Sequence, residues 1–118
     1  MSHIYKVLTE EEWENAISLG YVVTELDKED GFIHLSTSKQ LALTLHLYFK
    51  DYKNVILLEI NQDSINDEIL YEEAKSRGRL GKFPHLYGKL HMQNIKKDWI
   101  LKRNSFNLPG KVLEESEE

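Results

Sequence analysis

Four apolar stretches of this chain each carry one residue able to do acid–base or electrostatic chemistry. They are Lys6 in IYKVL, His34 in FIHLS, Glu59 in VILLEI and His85 in FPHLYG. A charge in a dry interior is destabilising unless it is paired or hydrogen-bonded. Such residues are therefore expected to meet one another, to face a cleft, or to emerge where a sheet meets water. Histidine titrates near neutral pH, so His34 and His85 together have the makings of a proton shuttle or a phosphate contact. Tyr87, two positions beyond His85, adds a ring for stacking and a hydroxyl for hydrogen bonding. Each residue also has a plainer reading. The histidines can be hydrogen-bonded structural residues, Lys6 can snorkel from an edge strand, and Glu59 can turn outward or pair with a neighbouring cation. His3, His46 and His91 are read as surface or packing residues.

Two further stretches suit an anion. Ser36, Thr37 and Ser38 stand where a helix is expected to begin, and a helix start offers free amides and hydroxyls. KSRGRLGK, residues 75–82, brings Lys75, Arg77, Arg79 and Lys82 together with two glycines and no acid. Arginine forks match phosphate geometry and glycine lets the backbone approach, so this loop reads either as a clamp or as a solvated charged face. It is not a Walker loop, because G-x-x-x-x-G-K-[ST] is absent. No metal motif is found: neither His34–His46 nor His85–His91 has the i, i+4 spacing of a helical zinc pair, and H-E-x-x-H is missing. No G-x-S-x-G elbow marks a nucleophilic serine.

The elements that must position these residues follow from periodicity. HIYKVLT alternates as a first strand, and Thr9 with Glu12 forms a capping box that opens a helix ending at Gly20. A short strand is expected around Tyr21–Thr24, followed by a loop, LDKEDG. GFIHLST is the next strand, with Phe32, His34 and Ser36 on one face and Ile33 and Leu35 on the other. Thr37 and Gln40, at capping-box spacing, then open a leucine-rich, mostly buried second helix, KQLALTLHLYF. NVILLEI is nearly all apolar and reads as a central strand covered on both faces. ILYEEA, FPHLYGKLHM and DWILKR are further strand candidates, with Pro84 restricting its segment to an edge or a strand start. The expected class is α+β: a mainly antiparallel sheet with two principal helices packed on it.

Composition bounds the answer. The 118 residues suit one domain, taken as 1–108, with an acidic tail, 109–118, expected to be disordered. A net charge of −5 argues against duplex nucleic acid as a partner, because that affinity comes from Lys and Arg on phosphates. The absence of cysteine rules out thiol chemistry and fits a cytoplasmic location. No apolar run approaches the roughly 20 residues of a membrane span, and the N-terminus lacks signal-peptide order.

IYKVLTEEEW, DGFIHLST, VILLEI, LYEEA and FPHLYG, in this order and spacing, resemble domain-of-unknown-function family 952 over nearly the whole chain. That family in turn resembles the ADP-ribosyltransferase fold, a split antiparallel β-structure with an NAD cleft, and distantly the RNA 2′-phosphotransferases of the KptA type, which use paired histidines and basic residues. The resemblance implies that Lys6 takes the first-strand place of a residue contacting the NAD ribose. It places His34 and Ser36, in FIHLSTS, beside the nicotinamide site, and makes Glu72 the candidate for a late glutamate that polarises the ribose.

The residues and the resemblance converge on one expectation. His34 and His85 would act as catalytic groups in a cleft whose ligand contacts are Lys6, Ser36, Thr37, Glu72, Arg77, Arg79 and Tyr87. The ligand would be a small anionic nucleotide, with NAD or a phosphorylated nucleic-acid end as candidates. The chain is then either a transferase-like enzyme or a non-catalytic nucleotide- or protein-binding module on the same cleft. In a third reading the two histidines are purely structural.

Overall fold

Helix caps set the first elements of the protein. The structure, a computed structural model, describes residues 3–73 and 81–102 together with Val112. Strand β1 (Ile4–Thr9) runs directly into helix α1 (Glu10–Leu19). The Thr9 hydroxyl accepts from the Glu12 N–H at 3.1 Å and Glu12 Oε1 accepts from the Thr9 N–H at 2.9 Å, which closes the expected capping box. Gly20, at φ +85°, ends the helix in the left-handed conformation that glycine adopts without strain.

The next segment departs from expectation. After β2 (Tyr21–Val22), residues Glu25–Asp30 form a helix, α2, where a loop was expected. Its cause is local: Thr24 and Asp27 make a second capping box, and Gly31 at φ +82° stops the helix. With Leu26 as its one apolar residue, α2 has no hydrophobic periodicity to announce it.

GFIHLST also differs from a single strand. It divides into β3 (Ile33–His34) and β4 (Ser36–Thr37). The chain then passes through one 3₁₀ turn (Ser38–Gln40) into α3 (Leu41–Tyr48), with the Thr37 N–H donating to Gln40 Oε1 at 3.0 Å. The remaining strands are β5 (Asn54–Ile60), β6 (Glu68–Glu73), β7 (Lys82–Tyr87), β8 (Leu90–His91) and β9 (Ile95–Lys102).

All strand pairs among the described residues are antiparallel, in a four-stranded sheet β4–β1–β5–β9, a three-stranded sheet β3–β7–β6 and a ribbon β2–β8. The class is thus α+β with mainly antiparallel sheets and few helices. β5 is central and covered on both faces. Ile56, Leu58 and Ile60 face Ile4, Leu8, Ile33 and Leu86, joining the two larger sheets in one core. Val55 and Leu57 face Tyr5, Leu41, Leu45 and Val112 under α3. Burial of this kind contributes about 1.5–3 kcal/mol per large aliphatic side chain.

Pro84 is neither at an edge nor at a strand start, the two places the sequence suggested, but third in the central strand of its sheet. The pairing register places it opposite Leu35, whose N–H donates to the Pro84 carbonyl at 3.0 Å. Proline has no N–H to return that bond. The β3 ladder ends at this point, and the chain crosses to pair with β1 as β4.

No helix among the described residues is long and apolar enough to cross a membrane. Arg77 and Arg79, and all of the expected tail 109–118 except Val112, lie outside the described residues.

A candidate paired-histidine site

The β3–β7 register sets His34 directly opposite His85. Leu35 and Pro84 next to them form a hydrogen-bonded position, so the histidine pair occupies the narrow position where facing side chains come closest. Their ring centroids are 5.7 Å apart, edge to face. Phe32 stacks on His85 at 4.0 Å and 23° and touches the rings of His34 and Tyr87 at 4.6 and 5.4 Å. The alternation read from the sequence places Phe32 and His34 on one face, and likewise His85 and Tyr87. The ring contacts join those two sets.

Carboxylates arrive from both sides. From α2, Asp27 Oδ1 lies 2.7 Å from His34 Nδ1 and also accepts the His34 backbone N–H at 3.0 Å, while Asp30 Oδ2 lies 2.8 Å from His34 Nε2. From β6, Glu72 stands opposite Phe83, one diagonal step from His85. Its Oε1 accepts from His85 Nδ1 at 2.9 Å and from the Tyr87 hydroxyl at 2.6 Å.

Lys6 completes the buried end. Only 4% exposed, it does not snorkel outward: its ammonium lies 3.1 and 3.0 Å from the two oxygens of Asp27 and donates to the His34 carbonyl at 2.9 Å. Burial by itself would push the Asp27 pKa up. The Lys6 charge, the His34 ring and the backbone amides of His34 and Thr24 outweigh it and hold the carboxyl well below the usual range. Tyr87 is shifted the other way: its bond to Glu72, with the charges of Glu72 and Glu68 nearby, pushes the phenol up.

Beside this cluster is a cavity of about 220 Å³ whose lining includes Lys6, Asp27, His34, Ser36, Phe49 and Tyr52. Ser36 is buried there with its hydroxyl 3.2 Å from that of Thr44. The structure thus brings Lys6, His34, His85, Glu72 and Tyr87 into one connected cluster and sets Ser36 in the adjoining wall, whereas Thr37 serves the helix cap. Glu59 goes elsewhere. It points from the opposite face of the β1–β5 sheet, buried, with His3 Nδ1 3.6 Å away. Among the described residues no group of three or more His, Asp or Glu side chains is disposed to hold a metal ion.

Sequence reasoning passed over Asp27 and Asp30. The signal for Asp27 was Thr24-x-x-Asp27 followed by Gly31, a short capped helix. Nothing local announces that its acids turn toward His34.

The family model for a protein of unknown function, DUF952, matches residues 7–98, and the chain belongs to that family. The protein is similar to CC0527 from Caulobacter crescentus, whose crystal structure superposes with a TM-score of 0.77 at 30% identity, covering 97% of this chain and 98% of that one. A solution NMR structure of CC0527 gives a TM-score of 0.73 at the same identity, with 98% of each chain covered. No functionally curated protein matches.

Proposed function

We propose that the histidine face and the cavity beside it form a binding cleft for a small, anionic, nucleotide-like ligand, on which the histidines do acid–base chemistry. The observation that carries this reading is the His34–His85 cross-strand pair, each ring held at Nδ1 by a carboxylate, with His34 in the lining of a cavity of about 220 Å³. A carboxylate on Nδ1 fixes the ring's orientation and favours its charged form during proton transfer. The cavity is smaller than the roughly 300–1,000 Å³ typical of whole drug-sized ligands, so it suits one ring of a nucleotide, with the phosphates outside. Because Asp27, Asp30, Glu68 and Glu72 surround the face, the positive charge an anion needs would come from protonated histidine and from Arg77 and Arg79. NAD fits this division, having a planar cationic ring at one end and phosphates beyond it. ADP-ribosyl or phosphate transfer, on an ADP-ribosyltransferase-like architecture, is the matching reaction class.

A non-catalytic binding module is the second reading, and one observation favours it. Lys6, the residue aligned with a ribose contact by family resemblance, is fully engaged by Asp27 and the His34 carbonyl. Titration calorimetry with NAD, ADP-ribose and ADP tests both. Binding that disappears in His34→Ala, with nicotinamide released from NAD, supports the enzyme. Binding without turnover supports the module, and no binding at millimolar concentration removes the nucleotide cleft altogether.

A further inference from the structure

Two hydroxyls in the cavity wall carry one proton more than the protein uses. Ser36 and Thr44 are only 4% and 7% exposed, both line the cavity of about 220 Å³, and their hydroxyls meet each other at 3.2 Å. That bond takes one of the two protons, whichever residue donates. Among the described residues the other proton has no acceptor. An unmatched buried donor is destabilising, so this proton calls for an acceptor on whatever fills the cavity. Thr24 repeats the pattern. It is buried in the same lining, and its hydroxyl accepts the Asp27 N–H as a helix cap, which leaves its own proton to give.

The charged groups of the lining are already engaged. Lys6 gives its ammonium to Asp27 and the His34 carbonyl. Asp27 takes Lys6, the backbone amides of Thr24 and His34, and the His34 ring, while Glu12 is tied into the cap at Thr9. Much of the remaining lining is apolar. Leu35 is buried, and Phe49 and Tyr52, with ring centroids 6.0 Å apart, join the exposed Leu26. Aromatic and aliphatic side chains of this kind suit the face of a flat ring. An apolar cavity of about 150 Å³ has room for benzene, so 220 Å³ takes one ring with a substituent and little more.

We propose that the cavity takes a single flat ring bearing a carbonyl, packed on the apolar lining and selected by the spare proton of the Ser36–Thr44 hydroxyl pair. Selection is then through a neutral hydrogen bond and not through charge. Uracil-type bases and aromatic carboxamides share this chemistry. Thr44 and Tyr52 thereby join Ser36 as binding residues. The inference deepens the cleft reading above and rests on it only for the statement that the ring belongs to a nucleotide.

NMR titration of the full chain with nicotinamide, uracil and 3-methylpyridine tests this, at mildly alkaline pH where all three are uncharged. The last is nicotinamide with a methyl in place of the carboxamide. At least one carbonyl ring is expected to bind, and 3-methylpyridine to bind about tenfold more weakly. Uracil bound without nicotinamide assigns the ring to a base, and the reverse assigns it to a carboxamide. Ser36→Ala or Thr44→Val alone leaves one hydroxyl with its proton to give, so the preference should remain. The double variant has neither hydroxyl, and the preference should disappear. A purely structural pair would instead lower stability and leave the ratio of affinities unmoved. Tyr52→Ala, at an exposed position, should weaken every bound ring by a similar factor, and this arm carries the test even if the double variant does not fold. Four results overturn the proposal: equal affinity for 3-methylpyridine and the carbonyl rings, a preference that survives in the double variant, affinities unchanged in Tyr52→Ala, or no ring bound at millimolar concentration. If the carbonyl rings bind as expected and calorimetry finds no nucleotide binding, the ring site stands and the nucleotide reading fails. If nucleotides bind and no free ring does, the ring site fails and the cleft stands.

Discussion

Asp27 and Glu72 each hold one histidine of the pair through Nδ1, in opposite surroundings. Asp27 is 2% exposed and gathers the Lys6 ammonium, two backbone amides and the His34 ring. Glu72 has a side chain 38% exposed, on an outer strand of its sheet, and its Oε1 takes the His85 ring and the Tyr87 hydroxyl. A buried carboxylate with several donors is a structural keystone: β1 through Lys6 and β3 through His34 both meet α2 at it. A carboxylate facing water can change partners at little expense in stability. The difference teaches that one cross-strand pair can have a rigid half and an adjustable half.

The largest expected effect lies in the rigid half. Asp27→Ala leaves the Lys6 ammonium buried without its counter-ion and should lower stability by about 3–5 kcal/mol. Urea denaturation of the single variant, beside the double variant Lys6→Met with Asp27→Leu, separates charge from packing. The double variant should recover most of the loss, because replacing a whole buried pair by apolar side chains is often close to neutral. If the single change is mild, Asp27 is no keystone and the contrast with Glu72 collapses.

Acid should act on the same half. Asp27 keeps its charge in the folded protein to a lower pH than the ordinary aspartate value of about 3.9. The unfolded chain therefore binds a proton that the native state does not. The stabilisation is fully present above that ordinary value and is lost as pH falls below roughly 4. Denaturation midpoints taken from neutral into acid pH should fall more steeply for the unaltered protein than for the Lys6→Met, Asp27→Leu variant. Parallel curves would contradict this account of Asp27.

How much of this was legible beforehand differs between the halves. The cap at Thr9, the stop at Gly20 and the central position of NVILLEI depend on neighbours along the chain, and the structure has each of them. The alternation of FPHLYG and FIHLST likewise put Tyr87 beside His85 and Phe32 beside His34. What local pattern could not supply was long-range. Nothing in DGFIHLST by itself says that the chain changes sheets at Leu35, because the reason is a proline some fifty residues away. The acids of LDKED resemble a solvated loop until the fold brings Lys6 and His34 to them. Lys6 itself was open between surface and interior, and only the arrival of Asp27 decides it.

The smallest expected effect on stability, and the sharpest on chemistry, belongs to Glu72. Its half-exposed bonds are of the kind that contribute about 1 kcal/mol or less, so Glu72→Ala should barely move the denaturation midpoint. It should nevertheless move Tyr87. In the intact protein the phenol is pushed up by its bond to Glu72 and by the charges of Glu72 and Glu68. Removing Glu72 takes away the acceptor and the nearer charge, so Tyr87 should ionise at lower pH than before. The chain has six tyrosines, so the tyrosinate absorbance of Glu72→Ala is best read against Glu72→Ala with Tyr87→Phe, and that of the unaltered protein against Tyr87→Phe. Each difference isolates one phenol. A Tyr87 whose ionisation is indifferent to Glu72, or a Glu72→Ala protein as unstable as Asp27→Ala, would make the two carboxylates alike and leave the histidine pair with no adjustable half.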